Sequence, residues 1–178
     1  MKKLLYNNIL LLILILVLAY GIMQLAFQNR RLNEMIEYEK IPVVGEKAYL
    51  FKAKDLNGKD IQLGGANTLL IFFDTQCGIC ERSVPEWKKL AVAFAQKPVQ
   101  IVAISANEPG EVRTFIENHQ LDFPTVPDPS KRIFYRYKIK HVPLYVLVNK
   151  EGKIVYYRNP GEAPEKALQK VKSLLQNL

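Results

Sequence analysis

A strand-like segment passes directly into a helix-like segment around the only two cysteines of the chain, which stand three positions apart. Residues 68–73 are apolar and rich in strand-favouring types, and residues 84–94 repeat apolar side chains at helical spacing. We therefore expect Cys77 at or next to a helix N-terminus, where unpaired N–H groups and the helix dipole stabilise a thiolate, the reactive form. Cys80, one helical turn later, can attack a mixed disulfide formed at Cys77. The pair therefore indicates dithiol–disulfide exchange.

Three other interpretations of the cysteine pair stay open at this stage. A zinc site usually has four nitrogen or sulfur ligands, and His119 and His141 lack a paired ligand spacing, so no metal is expected. A structural disulfide across so short a loop would restrict the unfolded chain little, and small stapled domains normally carry several bridges. Two inert buried thiols are the third interpretation, which the strand-to-helix context argues against.

The amino terminus carries an apolar run that is long enough to cross a bilayer. The run covers residues 9–27, and 19 residues of helix rise about 28 Å, close to the thickness of the hydrocarbon core. A cleaved signal peptide with Ala19-Tyr20-Gly21 as its cleavage site is the alternative, but apolar residues continue beyond that site. We predict an uncleaved anchor over 1–27, a stalk over 28–45 and a folded domain over 46–178. As an alternative to a stalk, residues 28–45 form an amphipathic helix that lies on the lipid surface.

The charges that flank the apolar run bear on orientation and on partners. Lys2 and Lys3 precede the run and Arg30 and Arg31 follow it, which is nearly a tie under the positive-inside rule. Because the amino-terminal tail is very short, we expect it to stay inside and the folded domain to be extracytoplasmic, on the periplasmic or outer face of the cell membrane. The formal net charge is +8, of which the first 31 residues supply half. The remaining excess is typical of a solvated surface, and no nucleic-acid partner is expected.

Apolar patterning after residue 45 predicts alternating strands and helices. Asn57-Gly58 between two alternating segments is a hairpin signal, and the continuous apolar run 99–105 is typical of a strand buried on both faces. Pro85 should kink the helix that follows Cys80 or start it afresh, because proline lacks a backbone donor. Further strands are expected at residues 123–128, 144–148 and 154–157, and further helices at 107–119, 131–137 and 165–178. This order predicts a mixed α/β sheet covered by helices on both faces.

The ordered set of these motifs resembles the thioredoxin fold. More narrowly it resembles the membrane-anchored, extracytoplasmic thiol–disulfide oxidoreductases of the TlpA/ResA-like group, which merges at its edges with peroxiredoxin-type sequences. The resemblance covers residues from about 43 to 178 and implies a central mixed sheet flanked by helices, with an N-terminal hairpin extension. It is carried by the hairpin 55–59, the strand ending at 72–73, the Cys77–Cys80 motif with Pro85 five residues on, the segments 123–128 and 137–143, and the turn 150–153.

The resemblance also implies which residues meet the substrate. It implies that Pro143 follows a cis peptide bond and sits against the cysteines, and that the backbone of Val142 pairs with an extended substrate segment. It implies a redox-active disulfide between Cys77 and Cys80, protein thiols or disulfides as substrates, and a second dithiol protein as electron donor or acceptor. No metal or organic cofactor is expected.

Three positions near the cysteines depart from the family pattern. Gln76 replaces the usual aromatic residue before the first cysteine, and Ile71 stands where thioredoxin buries a carboxylate. Ser83 stands where the cytochrome-maturation branch commonly has a glutamate. Deprotonation of the second cysteine is therefore expected to use water, Glu81 or Asp74.

Two other functions compete with disulfide exchange. The first is a thiol-dependent peroxidase in which Cys77 reduces a peroxide. Peroxiredoxins place a threonine three residues before the reactive cysteine and a proline seven before it, where this chain has Asp74 and Leu70. The second is a non-catalytic, membrane-bound assembly factor, which would keep its function when both cysteines are replaced by serine.

Overall fold

The computed structural model describes residues 2–39, 42–158 and 162–176 of the chain. The chain divides into two compact units, Met1–Lys40 and Ile41–Leu178. Within the described residues, the first unit consists of one helix, and the second contains all the strands and the remaining helices.

The first unit is the continuous helix α1 (Lys2–Glu39). Within it, Leu11–Leu32 is long and apolar enough to cross a membrane, and its side chains are almost all exposed. This confirms the predicted apolar helix of membrane-span length. The helix continues through residues 28–39, since no proline or glycine follows the apolar run before Pro42. The predicted break at Ile41-Pro42 involves residues outside the described ranges, and the stalk stays a prediction.

The second unit is built on a five-stranded mixed sheet. Its strands are β3 (Asn67–Phe73), β4 (Val99–Ser105), β5 (Thr125–Pro127), β6 (Leu144–Val148) and β7 (Ile154–Tyr157). They lie in the order β5-β4-β3-β6-β7, with β3 in the centre. The first three strands in the chain are parallel, and the last two are antiparallel to their neighbours, which confirms the predicted mixed sheet.

Helices cover both faces of the sheet. Strand β3 is therefore buried along its whole length and contributes alternate side chains to two cores. Leu69, Ile71 and Phe73 pack with the second, third and fifth helices. Leu70 and Phe72 pack with the fourth helix and the hairpin on the opposite face. The helices are α2 (Gly78–Phe94), α3 (Pro109–Asn118), α4 (Arg132–Arg136) and α5 (Pro164–Gln176).

A separate two-stranded hairpin precedes the main sheet, as the Asn-Gly signal predicts. It pairs β1 (Lys52–Lys54) with β2 (Asp60–Gln62) in antiparallel register. The turn is held by Asp55, whose Oδ1 accepts hydrogen bonds from the N–H groups of Asn57 and Lys59, both at 2.9 Å. Gly58 takes a left-handed conformation with φ of +78°, which glycine adopts at little cost.

Of the two alternatives expected for Pro85, a kink or a new helix start, the new start is wrong. Helix α2 runs unbroken from Gly78 to Phe94 with Pro85 inside it. The proline removes one backbone donor, which would have bonded the Glu81 carbonyl one turn earlier. The apolar side chains of α2 on both sides of the proline are buried against the sheet, and this packing holds the helix together across the lost hydrogen bond.

Candidate functional site

Cys77 occupies the position where β3 has ended and α2 begins. It is the N-cap residue of α2, with extended backbone angles, and its Sγ accepts a hydrogen bond from the N–H of Cys80 at 3.2 Å. The sulfur thus takes the place that a side-chain oxygen usually fills at a helix N-terminus. The predicted location of Cys77 at a helix N-terminus therefore agrees with the structure.

The segment that carries Val142 and Pro143 lies beside Cys77. The Val142–Pro143 peptide bond is cis, and the Cys77 Sγ lies 3.8 Å from the carbonyl oxygen of Val142. Val142 is half-buried and its N–H donates to no other described residue, while Pro143 is buried. The structure thus brings together the four residues that the sequence singles out, although 65 positions separate Cys77 from Val142.

The two thiols differ in their access to solvent. Both are free, Cys77 is half-buried, and Cys80 is 0% exposed. Burial raises the pKa of the Cys80 thiol far above its usual range, and the hydrogen bond with Cys77 raises it further, whereas a hydrogen bond with the backbone of Asp74 lowers it. A substrate can therefore reach the Cys77 sulfur, whereas the Cys80 thiol is buried and protonated.

The carboxylates proposed as proton acceptors for Cys80 have different surroundings. Asp74 is half-buried, accepts a hydrogen bond from the Gln76 N–H at 2.8 Å, and is close enough to Cys80 to affect its ionisation. The side chain of Glu81 is mostly exposed and lies 4.0 Å from His119 Nε2. Asp74 is therefore the better placed of the two. Among the residues that the structure describes, no cluster of histidine, cysteine and carboxylate side chains could hold a metal ion.

A buried polar group that sequence reasoning missed lies in the core beside Cys80. Tyr145 stands directly across from Ile71 in the β3–β6 register, and its hydroxyl accepts a hydrogen bond from Trp87 Nε1 at 3.1 Å. Burial raises the pKa of Tyr145 to about 12, partly opposed by this hydrogen bond and by one with Ser83. A tyrosine in an otherwise aliphatic strand directly after Pro143 was the available signal.

Arg158, directly after β7, is a second residue that the sequence did not reveal. Its side chain is buried, and its Nη1 donates to the carbonyl oxygen of Pro143. Nothing in the local sequence pattern points to this contact, because it joins residues that flank two different strands, Pro143 before β6 and Arg158 after β7.

The reduced protein should lose stability as the pH rises above about 8.5, where a cysteine in an unfolded chain ionises. Cys80 keeps its proton in the fold at that pH, so the unfolded state binds fewer protons and the free energy of unfolding falls. The slope should approach ~1.4 kcal/mol per pH unit for this group. Above about pH 10 the buried Tyr145 and Tyr157, whose pKa values are also raised, should steepen the decline.

Urea unfolding of the reduced protein at a series of pH values checks this expectation. The Cys80→Ser variant is the control, because it should lose the part of the decline between about pH 8.5 and 10 and keep the rest. An equal decline in both proteins over that range would contradict the assignment to Cys80.

Comparison with known proteins agrees with this geometry. The AhpC/TSA family model matches residues 44–157. The thiol-disulfide oxidoreductase ResA of Halalkalibacterium halodurans is 36% identical over 121 residues, which are 66% of this chain and 69% of that protein. ResA of Bacillus cereus is 32% identical over 158 residues, which are 86% of this chain and 86% of that protein.

A solved structure supports the fold. The crystal structure of StoA from Bacillus subtilis superposes with a TM-score of 0.60 at 24% identity, covering 69% of this chain and 96% of that one. This likeness agrees with the expected thioredoxin fold, and the family match extends over most of the second unit. The chain therefore belongs to the AhpC/TSA family and is one of its thioredoxin-like thiol–disulfide oxidoreductases.

Proposed function

We propose that the protein is a membrane-tethered, extracytoplasmic oxidoreductase that exchanges disulfides with protein substrates through Cys77 and Cys80. The observation that carries this proposal is the asymmetry of the pair at the start of α2. Cys77 is accessible and its sulfur accepts an N–H hydrogen bond, whereas Cys80 lies one turn on and is shut off from solvent. Nucleophile and resolving thiol are therefore different residues with different surroundings.

In the reducing direction, the Cys77 thiolate attacks one sulfur of a substrate disulfide. The substrate's S–S bond breaks, one substrate sulfur leaves as a thiolate, and the other is bonded to Cys77 as a mixed disulfide. Cys80 then gives its proton to water or to the Asp74 carboxylate, and its sulfur attacks Cys77. This step releases the second substrate thiolate and leaves a Cys77–Cys80 disulfide. A second dithiol protein restores the two thiols, and in the oxidising direction every step runs in reverse.

The groove for the substrate lies along Val142 and Pro143. An extended segment can pair with the Val142 N–H, in the way that a strand adds to a sheet edge. Ile79, between the two cysteines and 45% exposed, offers an apolar contact at the same place. These groups recognise backbone and apolar surface, so we expect tolerance toward different substrate sequences.

A redox titration of the full-length protein tests the proposed chemistry. Cys77 and Cys80 should lose their reactivity toward an alkylating reagent together, in one two-electron transition, between about −270 and −120 mV. The Cys80→Ser variant should show no such transition. Thiols that never form an intramolecular disulfide would overturn the proposal.

The proposed location outside the cytoplasm assigns residues 1–27, which contain the first part of α1, to a membrane anchor and residues 28–45 to a stalk. The resemblance to membrane-anchored, extracytoplasmic oxidoreductases supports a domain, residues 46–178, on the outer side of the membrane. A membrane-impermeant maleimide should then label Cys77 in intact cells of the host under reducing conditions. Labelling that requires cell lysis would place the domain inside and overturn this part of the proposal.

A further inference from the structure

Arg158 is the buried cation nearest to the Val142–Pro143 segment in the part of the chain that the structure describes. The residue is only 9% exposed. Its Nη1 donates to the carbonyl oxygen of Pro143, and its Nε and Nη2 donate to the carbonyl oxygen of Glu162 at 2.9 and 2.6 Å. The backbone N–H of Arg158 donates to the Tyr145 carbonyl at 3.0 Å. One residue therefore bonds three separate points of the chain.

Such burial of an arginine needs a physical reason. Arginine is almost never buried without partners, because removing its charge from water is costly. Here the hydrogen bonds go to backbone carbonyls, and bonds from a charged donor are stronger than neutral ones. Since the guanidinium is planar, fixing the Glu162 carbonyl on two nitrogens also fixes the direction in which Nη1 points. The guanidinium thus sets where the Pro143 carbonyl lies.

The two peptide groups on either side of Pro143 face different partners. The carbonyl before it, from Val142, faces the Cys77 sulfur, and the carbonyl after it faces Arg158. A shift of the second peptide group would also turn the first, because the proline ring restricts the backbone between them. The distance from Cys77 to Val142 therefore depends on Arg158.

We propose that Arg158 is a positioning residue that holds the Val142–Pro143 segment in register for an extended polypeptide beside Cys77. The inference rests on the proposed function and adds to it the group that shapes the polypeptide groove. A small disulfide needs only access to the Cys77 sulfur, so its reaction does not depend on Arg158. Lysine cannot replace this residue, because an ammonium group is a point charge without the fixed fork that bridges two carbonyls.

The test compares two substrates of the reduced full-length protein in detergent micelles, insulin as a polypeptide disulfide and dithiobis-nitrobenzoate as a small one. With dithiothreitol as the reductant that restores the Cys77 and Cys80 thiols after each insulin turnover, the Arg158→Lys variant should raise KM for insulin about tenfold. This is a loss of ~1.4 kcal/mol in binding, with kcat nearly unchanged. Its rate constant with dithiobis-nitrobenzoate should stay within about twofold of the original, since contacts with Pro143 do not enter that reaction. Arg158→Met should give the same pattern.

Tyr157→Phe is the matched control. The Tyr157 hydroxyl is also buried and donates to a backbone carbonyl, that of Tyr137 at 3.0 Å, but it belongs to the core on the other face. This variant should lose stability and keep both reactions. An unchanged KM for insulin in Arg158→Lys, an equal loss with both substrates, or failure of both Arg158 variants to fold would overturn the inference. Failure of the unaltered protein to react with either disulfide would instead overturn the proposed function.

Discussion

Replacing Cys80 by serine is expected to leave the protein covalently bound to its substrate, whereas replacing Cys77 by serine should abolish exchange. In the first variant the accessible Cys77 still attacks, but the buried sulfur that would release the mixed disulfide is gone. In the second, a hydroxyl replaces the thiolate nucleophile, and the rate should fall by on the order of 10³-fold or more. Incubation with a disulfide-containing protein, followed by non-reducing electrophoresis, shows the adduct directly.

The pair of variants separates the competing functions. The adduct should form with Cys80→Ser, disappear on reduction, and be absent with Cys77→Ser and with the double variant. An adduct that forms equally through Cys80 in the Cys77→Ser protein would contradict the assigned roles. Peroxide consumption that depends on Cys77 would favour the peroxidase, and full cellular function of the double variant would favour the non-catalytic assembly factor.

Trp87→Ala should produce the largest loss of stability among single substitutions near the site. The indole is 0% exposed, its ring lies 5.9 Å from that of Phe73, and its Nε1 donates to the Tyr145 hydroxyl. Truncation of a buried tryptophan leaves a large cavity and costs about 3–5 kcal/mol. The lost hydrogen bond adds to this cost, because the buried Tyr145 hydroxyl loses its donor. Denaturant unfolding followed by circular dichroism measures the difference.

Val92→Ala in the same helix is the control for Trp87→Ala. Val92 is 80% exposed, and its truncation should change the free energy of unfolding by no more than about 0.5 kcal/mol. Trp87→Phe should lie between the two, since it keeps much of the ring volume but lacks the N–H donor. A loss below about 1 kcal/mol in Trp87→Ala would mean that α2 does not depend on this contact with the sheet.

The elements that the sequence predicts well are those whose signal is local. Asn57-Gly58 specifies a turn by its own conformational preferences, and the run at 99–105 is typical of a strand covered on both faces. The proximity of Cys77 to Pro143 was accessible through the family resemblance, since an ordered set of motifs carries information that no single segment holds.

The contacts that escaped prediction are those made by side chains of elements that meet only in the folded protein. Tyr145 forms its hydrogen bond only when α2 packs on the sheet, and Arg158 reaches Pro143 only when β6 and β7 are in register. Neither position has a local preference for a buried polar role. Pro85 escaped for a related reason, because packing of α2 against the sheet outweighs the lost backbone hydrogen bond. In all of these cases tertiary packing, and not local sequence preference, determines the structure.

The antiparallel pairing of β3 with β6 has a consequence for how the chain can be lengthened. Phe72 pairs with Leu144, which brings the end of one strand toward Cys77 and the start of the other next to Pro143. A single added residue within either strand would move its side chains from one core to the other and separate Cys77 from Val142 and Pro143. At the opposite end of these two strands, the turn at Asn149–Gly152 lies beside Asn67. We therefore expect insertions and fused reporter domains to be tolerated best in that turn, where added length leaves Cys77 and Pro143 undisturbed.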